Sequence, residues 1–117
     1  MKIIYFGSPE YSKIVLQSLV DSSNEVVSVV TQDIKSTKRN KNKKTPIGEF
    51  SESIFIETHY PKTLNDDVWI KRIKDYKPDL VIIFSYGKIL PDVLLEIPSY
   101  GALNIHCSEL PKWRGAS

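Results

Sequence analysis

The chain has 117 residues, 41% of them hydrophobic and 26% charged, with a net charge of +2. That length suits one small domain with a real core. The composition excludes a disordered chain, and no apolar run approaches the roughly 20 residues needed to span a bilayer. The single Cys107 excludes an intrachain disulfide and a cysteine-built structural zinc site. Met1-Lys2 leads directly into Ile3-Ile4-Tyr5-Phe6, too short for a signal-peptide core and without transit-peptide character, so the expected address is cytoplasmic.

Lys2 to Phe6 is a compact run of β-favouring residues closed by Gly7, the pattern of a buried first strand. Ser8-Pro9-Glu10 predicts a helix start, with Ser as N-cap and Pro at the first helical position, and the helix then runs to about Val20 with Tyr11, Ile14, Val15 and Leu19 on one face. Ser22-Ser23-Asn24 breaks it, and Glu25 to Thr31, with Val26-Val27 and Val29-Val30, reads as a second strand. This βαβ unit implies a parallel sheet. The dinucleotide fingerprint is absent after the first strand, so Gly7 reads as turn chemistry rather than as a nucleotide site.

Gln32 through Pro46 lacks hydrophobic periodicity and reads as an exposed loop. Residues 33–44 hold six Lys or Arg against one Asp, a local charge of +5 that leaves the remainder near −3. Lys35, Lys38, Arg39, Lys41, Lys43 and Lys44 could neutralise phosphates of a nucleic acid; a solvated surface loop is the alternative. No aromatic residue interleaves them, so base stacking is not implied. Ile47 to Ser53 suggests a partial helical turn and Ile54-Phe55-Ile56 a weak third strand. Asn65 is the expected cap of a helix over Asp66 to Tyr76 that turns Trp69, Ile73 and Tyr76 to one side, and Lys77-Pro78 ends it. Leu80 to Phe84 is apolar without alternation, as in a parallel strand covered on both faces, and is taken as the centre of the sheet. Ser85 to Lys88 leaves it as a loop, a short helix covers Asp92 to Glu96, and Ala102 to His106 forms the final strand.

Period-two geometry puts Asn104 and His106 on one face of that last strand, with Leu103 and Ile105 on the other. In an open parallel sheet, ligands settle beyond the carboxyl ends of the strands. The Ser85 to Pro91 loop and residues 107–117 both belong there. An amide and an imidazole on one face can donate two hydrogen bonds to an oxygen gaining charge, as acyl transfer to an amine requires, and an imidazole can move a proton near neutral pH. Simple satisfaction by neighbouring backbone is the alternative. A Cys107/His106 nucleophile pair is disfavoured because adjacent strand side chains diverge. No ligand spacing links His59 to His106, so no metal is expected.

At these residues the chain resembles the folate-dependent formyltransferases, whose motif is Asn-x-His followed by Ser-Leu-Leu-Pro and, in one branch, Arg-x-Arg-Gly-Ala-Ala-Pro. Here the stretch stands as Asn104-Ile105-His106-Cys107-Ser108-Glu109-Leu110-Pro111-Lys112-Trp113-Arg114-Gly115-Ala116-Ser117. Phe6-Gly7-Ser8-Pro9, Thr31-Gln32 before the basic loop, and Ser85-Tyr86-Gly87-Lys88-Ile89-Leu90-Pro91 extend the likeness over nearly the whole chain. The resemblance implies a Rossmann-like α/β fold with an open, mostly parallel sheet and flanking helices. It implies 10-formyltetrahydrofolate as formyl donor, no metal, and, in the branch with the basic loop, the amino group of methionyl-initiator tRNA as acceptor in translation initiation. Asn104 and His106 would polarise the formyl carbonyl and hold its oxyanion. Ser108, Glu109, Leu110 and Pro111 would line the folate, with Ile89 and Leu90 at the pterin pocket, while Arg39 and its neighbouring lysines would meet the tRNA.

The likeness also has departures. Glu109 stands for a Leu, Ser117 for an Ala, and the basic loop lacks the glycines usual around its arginine. The family's catalytic Asp lies beyond Ser117. The expectation is therefore an N-terminal part of a catalytic domain spanning 1–117, inactive alone, belonging to a protein that is monomeric when complete; an open sheet edge on the fragment would favour self-association. A formyltransferase acting on a sugar nucleotide or glycinamide ribonucleotide is the nearest rival, and a non-catalytic nucleic-acid-binding domain is the rival from another class.

Overall fold

The computed structural model describes residues 1–34 and 43–106. Five described strands, β1 (Lys2–Gly7), β2 (Glu25–Val30), β3 (Thr58–His59), β4 (Leu80–Phe84) and β5 (Ala102–Ile105), form one sheet in the order β3-β2-β1-β4-β5. Every pairing is parallel. The expected Rossmann-like class is what the chain adopts, but the centre is β1. Strand β4 lies one place off it, because β5 is the only described strand beyond it. Both are apolar on both faces, so local pattern could not rank them; pairing did.

Four described helices flank the sheet: α1 (Lys13–Asp21), α2 (Pro46–Ser53), α3 (Asp67–Asp75) and α4 (Asp92–Leu95). Alternation along the strands divides the core into two layers. Ile4, Phe6, Val30, Val81 and Ile83 pack with Trp69 and Ile73 of α3 and Leu94 of α4. Ile3, Tyr5, Val29, Ile82 and Phe84 pack with Leu16 of α1 and Ile47 of α2. The switch of helices from one face to the other falls where β1 meets β4, which is where open α/β sheets form their crevice.

A register shift between Ile3 and Ile4 lets β2 carry one extra residue: Ile3 pairs with Val26 but Ile4 with Ser28. Val27 is thus a bulge. It explains why Val26 and Val29 share one layer and Val27 and Val30 the other, although residues three apart in a regular strand face opposite ways.

Local expectations were corrected at several points. Ser8 does not cap a helix; Pro9 precedes a 3-10 turn over Glu10–Ser12, and α1 starts only at Lys13. The buried face of α1 centres on Leu16, with Val15 and Leu19 packed against the same core layer as expected, while Ile14, and Tyr11 in the preceding turn, are exposed. Residues 46–53 form a full helix, not a partial turn, and Thr45 caps it by accepting from the Gly48 N–H at 2.9 Å. Asp66, not Asn65, caps α3, accepting from the Trp69 N–H at 2.8 Å. The expected strand at Ile54-Phe55-Ile56 is instead the end of α2. The Ile56 N–H reaches the Ser51 carbonyl and the Phe55 N–H the Glu52 carbonyl, each at 3.0 Å, with Phe55 left-handed at φ 65°. This is a Schellman close without its usual glycine, and the third strand follows at Thr58–His59.

Candidate active site

The β4–β5 register pairs Ile83 with Asn104 and Phe84 with Ile105, so Asn104 sits next to the carboxyl end of β4 and His106 just past the end of β5. Both are exposed. Together they line a cleft of about 410 Å³ whose opposite wall is Ser85 to Ile89. The predicted pair and the predicted loop are thus brought together. Ile89 is 95% exposed on this wall. Leu90 is buried and turns instead to an adjoining hollow of about 290 Å³, shared with Leu64, Asn65 and Ile89. Ser108, Glu109, Leu110 and Pro111 lie outside the described residues, as does Cys107.

Beside this cleft, at the carboxyl ends of β1, β2 and β4, lies a second opening of about 510 Å³ lined by Ser8, Tyr11, Gln32, Thr45 and Ser85 to Gly87. Sequence reading missed these residues as a group. The available signal was positional: Ser8 directly follows the first strand and Thr31 the second, both at the ligand-bearing ends of parallel strands.

The wall between the two openings is held by the segment after β1. Ser12 Oγ donates to the Phe84 carbonyl at 2.7 Å, the Tyr11 hydroxyl meets Ser85 Oγ at 2.8 Å, and Ser8 Oγ donates to the Tyr86 carbonyl at 2.9 Å. Three consecutive residues are each fixed by a side chain. The central one, Ser85, is left-handed at φ 57°, a conformation that persists only where surroundings impose it. Tyr86 packs edge-on against Phe6, and burial pushes its phenol up to about 12.

Of the basic residues singled out, Lys35, Lys38, Arg39 and Lys41 lie outside the described residues, while Lys43 and Lys44 are exposed. Lys44 pairs with Glu52 at 2.5 Å, and that hydrogen bond holds the Glu52 carboxyl below its ordinary range. His59, on β3, and His106, beyond β5, sit at opposite edges of the sheet, roughly 19 Å apart by four strand spacings. His59 contacts Tyr76 and Arg72, and burial lowers its pKa against the opposing pull of Glu57. Among the described residues no three His, Cys, Asp or Glu side chains gather as a metal site, and no described helix is long and apolar enough to cross a membrane.

The open parallel α/β sheet thus holds an amide and an imidazole together at a carboxyl-end cleft, the place where such sheets take their ligands. The sequence profile of the formyl transferase family matches residues 1–117, and the chain belongs to that family. Among its relatives is the methionyl-tRNA formyltransferase of Alkaliphilus oremlandii, 44% identical over 117 residues that cover 99% of this chain and 38% of the relative. That of Dictyoglomus thermophilum is 42% identical over 119 residues, covering all of this chain and 38% of the relative. The chain therefore spans about two fifths of the length of these relatives. In fold it is similar to glycinamide ribonucleotide transformylase 1 from Symbiobacterium toebii, with a TM-score of 0.67 at 18% identity over 97% of this chain and 54% of that one.

Proposed function

We propose that the protein transfers the formyl group of 10-formyltetrahydrofolate to the amino group of methionyl-initiator tRNA, and that residues 1–117 form the N-terminal part of its catalytic domain. The observation that carries this reading is the placement of Asn104 and His106 together on the cleft faced by Ser85 to Ile89. The relatives' names support the acceptor, and the +5 segment at 33–44 supplies charge suited to phosphates.

In this reading the methionyl nitrogen attacks the formyl carbon, and the carbonyl oxygen takes up the electron pair of the broken π bond. Asn104 and His106 donate hydrogen bonds to that oxygen. Collapse of the tetrahedral intermediate breaks the bond to the folate N10, which leaves with a proton, and the product nitrogen gives one up. Ser108 to Pro111, Ile89 and Leu90 contribute to the folate site. Lys35, Lys38, Arg39, Lys41, Lys43 and Lys44 meet the tRNA.

The test is formyl transfer by the full-length protein and its Asn104→Ala variant. Loss of one oxyanion donor is expected to lower kcat by about 10²- to 10³-fold while the donor KM changes little. An unimpaired variant would remove Asn104 from the chemistry. Folate binding without transfer to methionyl-tRNA would point to another amine as acceptor.

A further inference from the structure

The segment that leaves β4 is anchored by two buried side chains, Tyr86 and Leu90, and stands clear of the core between them. Gly87 is left-handed at φ 103°, and Lys88 and Ile89 on the rise that follows are exposed. Both line the cleft that holds Asn104 and His106, and both line the adjoining hollow of about 290 Å³ as well. Lys88 therefore stands on the ridge that the two openings share.

Its charge is unmatched there. Lys88 is the only Lys, Arg, Asp or Glu lining either opening; the other walls are apolar side chains, hydroxyls, amides and an imidazole. Among the described residues no carboxylate pairs with it. Lys88 Nζ meets the Lys62 carbonyl at 3.5 Å, the outer limit of a hydrogen bond, and a carbonyl neutralises no charge. That approach shows which way the side chain runs: toward the segment that carries Leu64 and Asn65, the other side of the hollow. The next acid along that segment, Asp66, is engaged as the cap of α3.

We propose that Lys88 receives the glutamate tail of the formyl donor, so that the site selects its donor by the charge of the tail as well as by the ring. The inference rests on the function proposed above. The pterin, the aminobenzoyl ring and the formyl group of that donor are neutral, and its negative charge lies wholly in the tail carboxylates. A donor whose formyl group meets Asn104 and His106 lies against the same ridge, where its carboxylates find the one unpaired lysine of either opening. Because Lys88 is exposed, water and salt weaken the attraction to that of a surface ion pair.

The test compares two probes on the full-length protein: tetrahydrofolate, and tetrahydrofolate whose tail carboxylates are converted to primary amides. The unaltered protein should bind the first more tightly by about three- to fivefold in low salt, with the ratio falling toward one as salt is raised. In Lys88→Gln the ratio should fall toward one through weaker binding of tetrahydrofolate alone, and Lys88→Arg, which keeps the charge, should retain most of it. Since Lys88 is exposed, both variants should unfold at the unaltered midpoint. A ratio of one in the unaltered protein, an unchanged ratio in Lys88→Gln, or an equal loss for both probes overturns the inference. Weaker binding of initiator tRNA by Lys88→Gln with the ratio intact overturns it too, and moves Lys88 to the acceptor. Each of these outcomes leaves the proposed function standing; unaltered protein that binds neither probe overturns the donor reading itself.

Discussion

The Tyr86 hydroxyl is buried and finds no hydrogen-bond partner among the described residues. Because an unmatched polar atom carries its full desolvation cost, Tyr86→Phe should leave stability unchanged or raise it by up to about 1 kcal/mol in chemical denaturation. A clear loss would reveal a partner. His59 makes a prediction of the opposite sense. Its folded pKa lies below the ordinary value of about 6.5, chiefly through burial, with Glu57 opposing and Arg72 adding to the shift. The unfolded chain therefore binds the proton more readily. Its contribution to stability should be complete above the ordinary imidazole pKa and be lost as pH falls through that value toward the depressed one. Thermal midpoints between about pH 7.5 and 5 should fall with acidification, and His59→Gln should flatten that part of the curve.

The end of α2 shows how a local rule can be met by an unfavourable residue. Phe55 occupies the left-handed position where glycine is usual, yet its side chain is 95% exposed and gains little from burial. Phe55→Gly should stabilise the protein by about 0.5–1 kcal/mol, measured as a shift in the urea midpoint. The same residue accounts for a misreading: Ile54-Phe55-Ile56 has strand propensity, and nothing in its composition announces a helix close. Where burial on both sides dictated the pattern, as in Lys2 to Phe6 and Leu80 to Phe84, the strands were legible. Caps and strand rank were not. Asn65 and Asp66 are chemically alike as caps, and the position of β1 at the centre depends on partners up to 77 residues away in the chain, as the Lys2 N–H to Asp79 bond shows. Asn104 and His106 were legible as a pair because strand period is rigid; the approach of the Thr31 hydroxyl to those of Ser8 and Thr45 was not, since these residues meet only after the intervening connections have closed.

Across the molecule, charge and architecture are segregated. The sheet and helices carry a slightly acidic balance, and the cationic excess is confined to 33–44. If that segment meets tRNA phosphates, replacing each contacting Lys or Arg with Ala should reduce the slope of log affinity against log salt by about 0.7–0.9, with folate affinity unaltered in the absence of tRNA. An equal fall in folate affinity would make the segment structural. Lys44, already paired with Glu52, should contribute less to that slope than Lys43.

The bulge at Val27 bears on all of this as a matter of parity. With it, Phe6 stands opposite Val30, so the next step along β2 brings Thr31 level with Gly7 and within reach of Ser8. An even count through β2 would exchange the inward and outward sides of Val29, Val30 and Thr31 while leaving Val26 where it is. The hydrophobic composition would survive that change almost untouched, since valines face both ways; Thr31 would not meet Ser8. One supernumerary residue near the start of a strand thus sets which hydroxyl arrives at its far end, and β2 is a strand whose sequence tolerates substitution more readily than any change in its length.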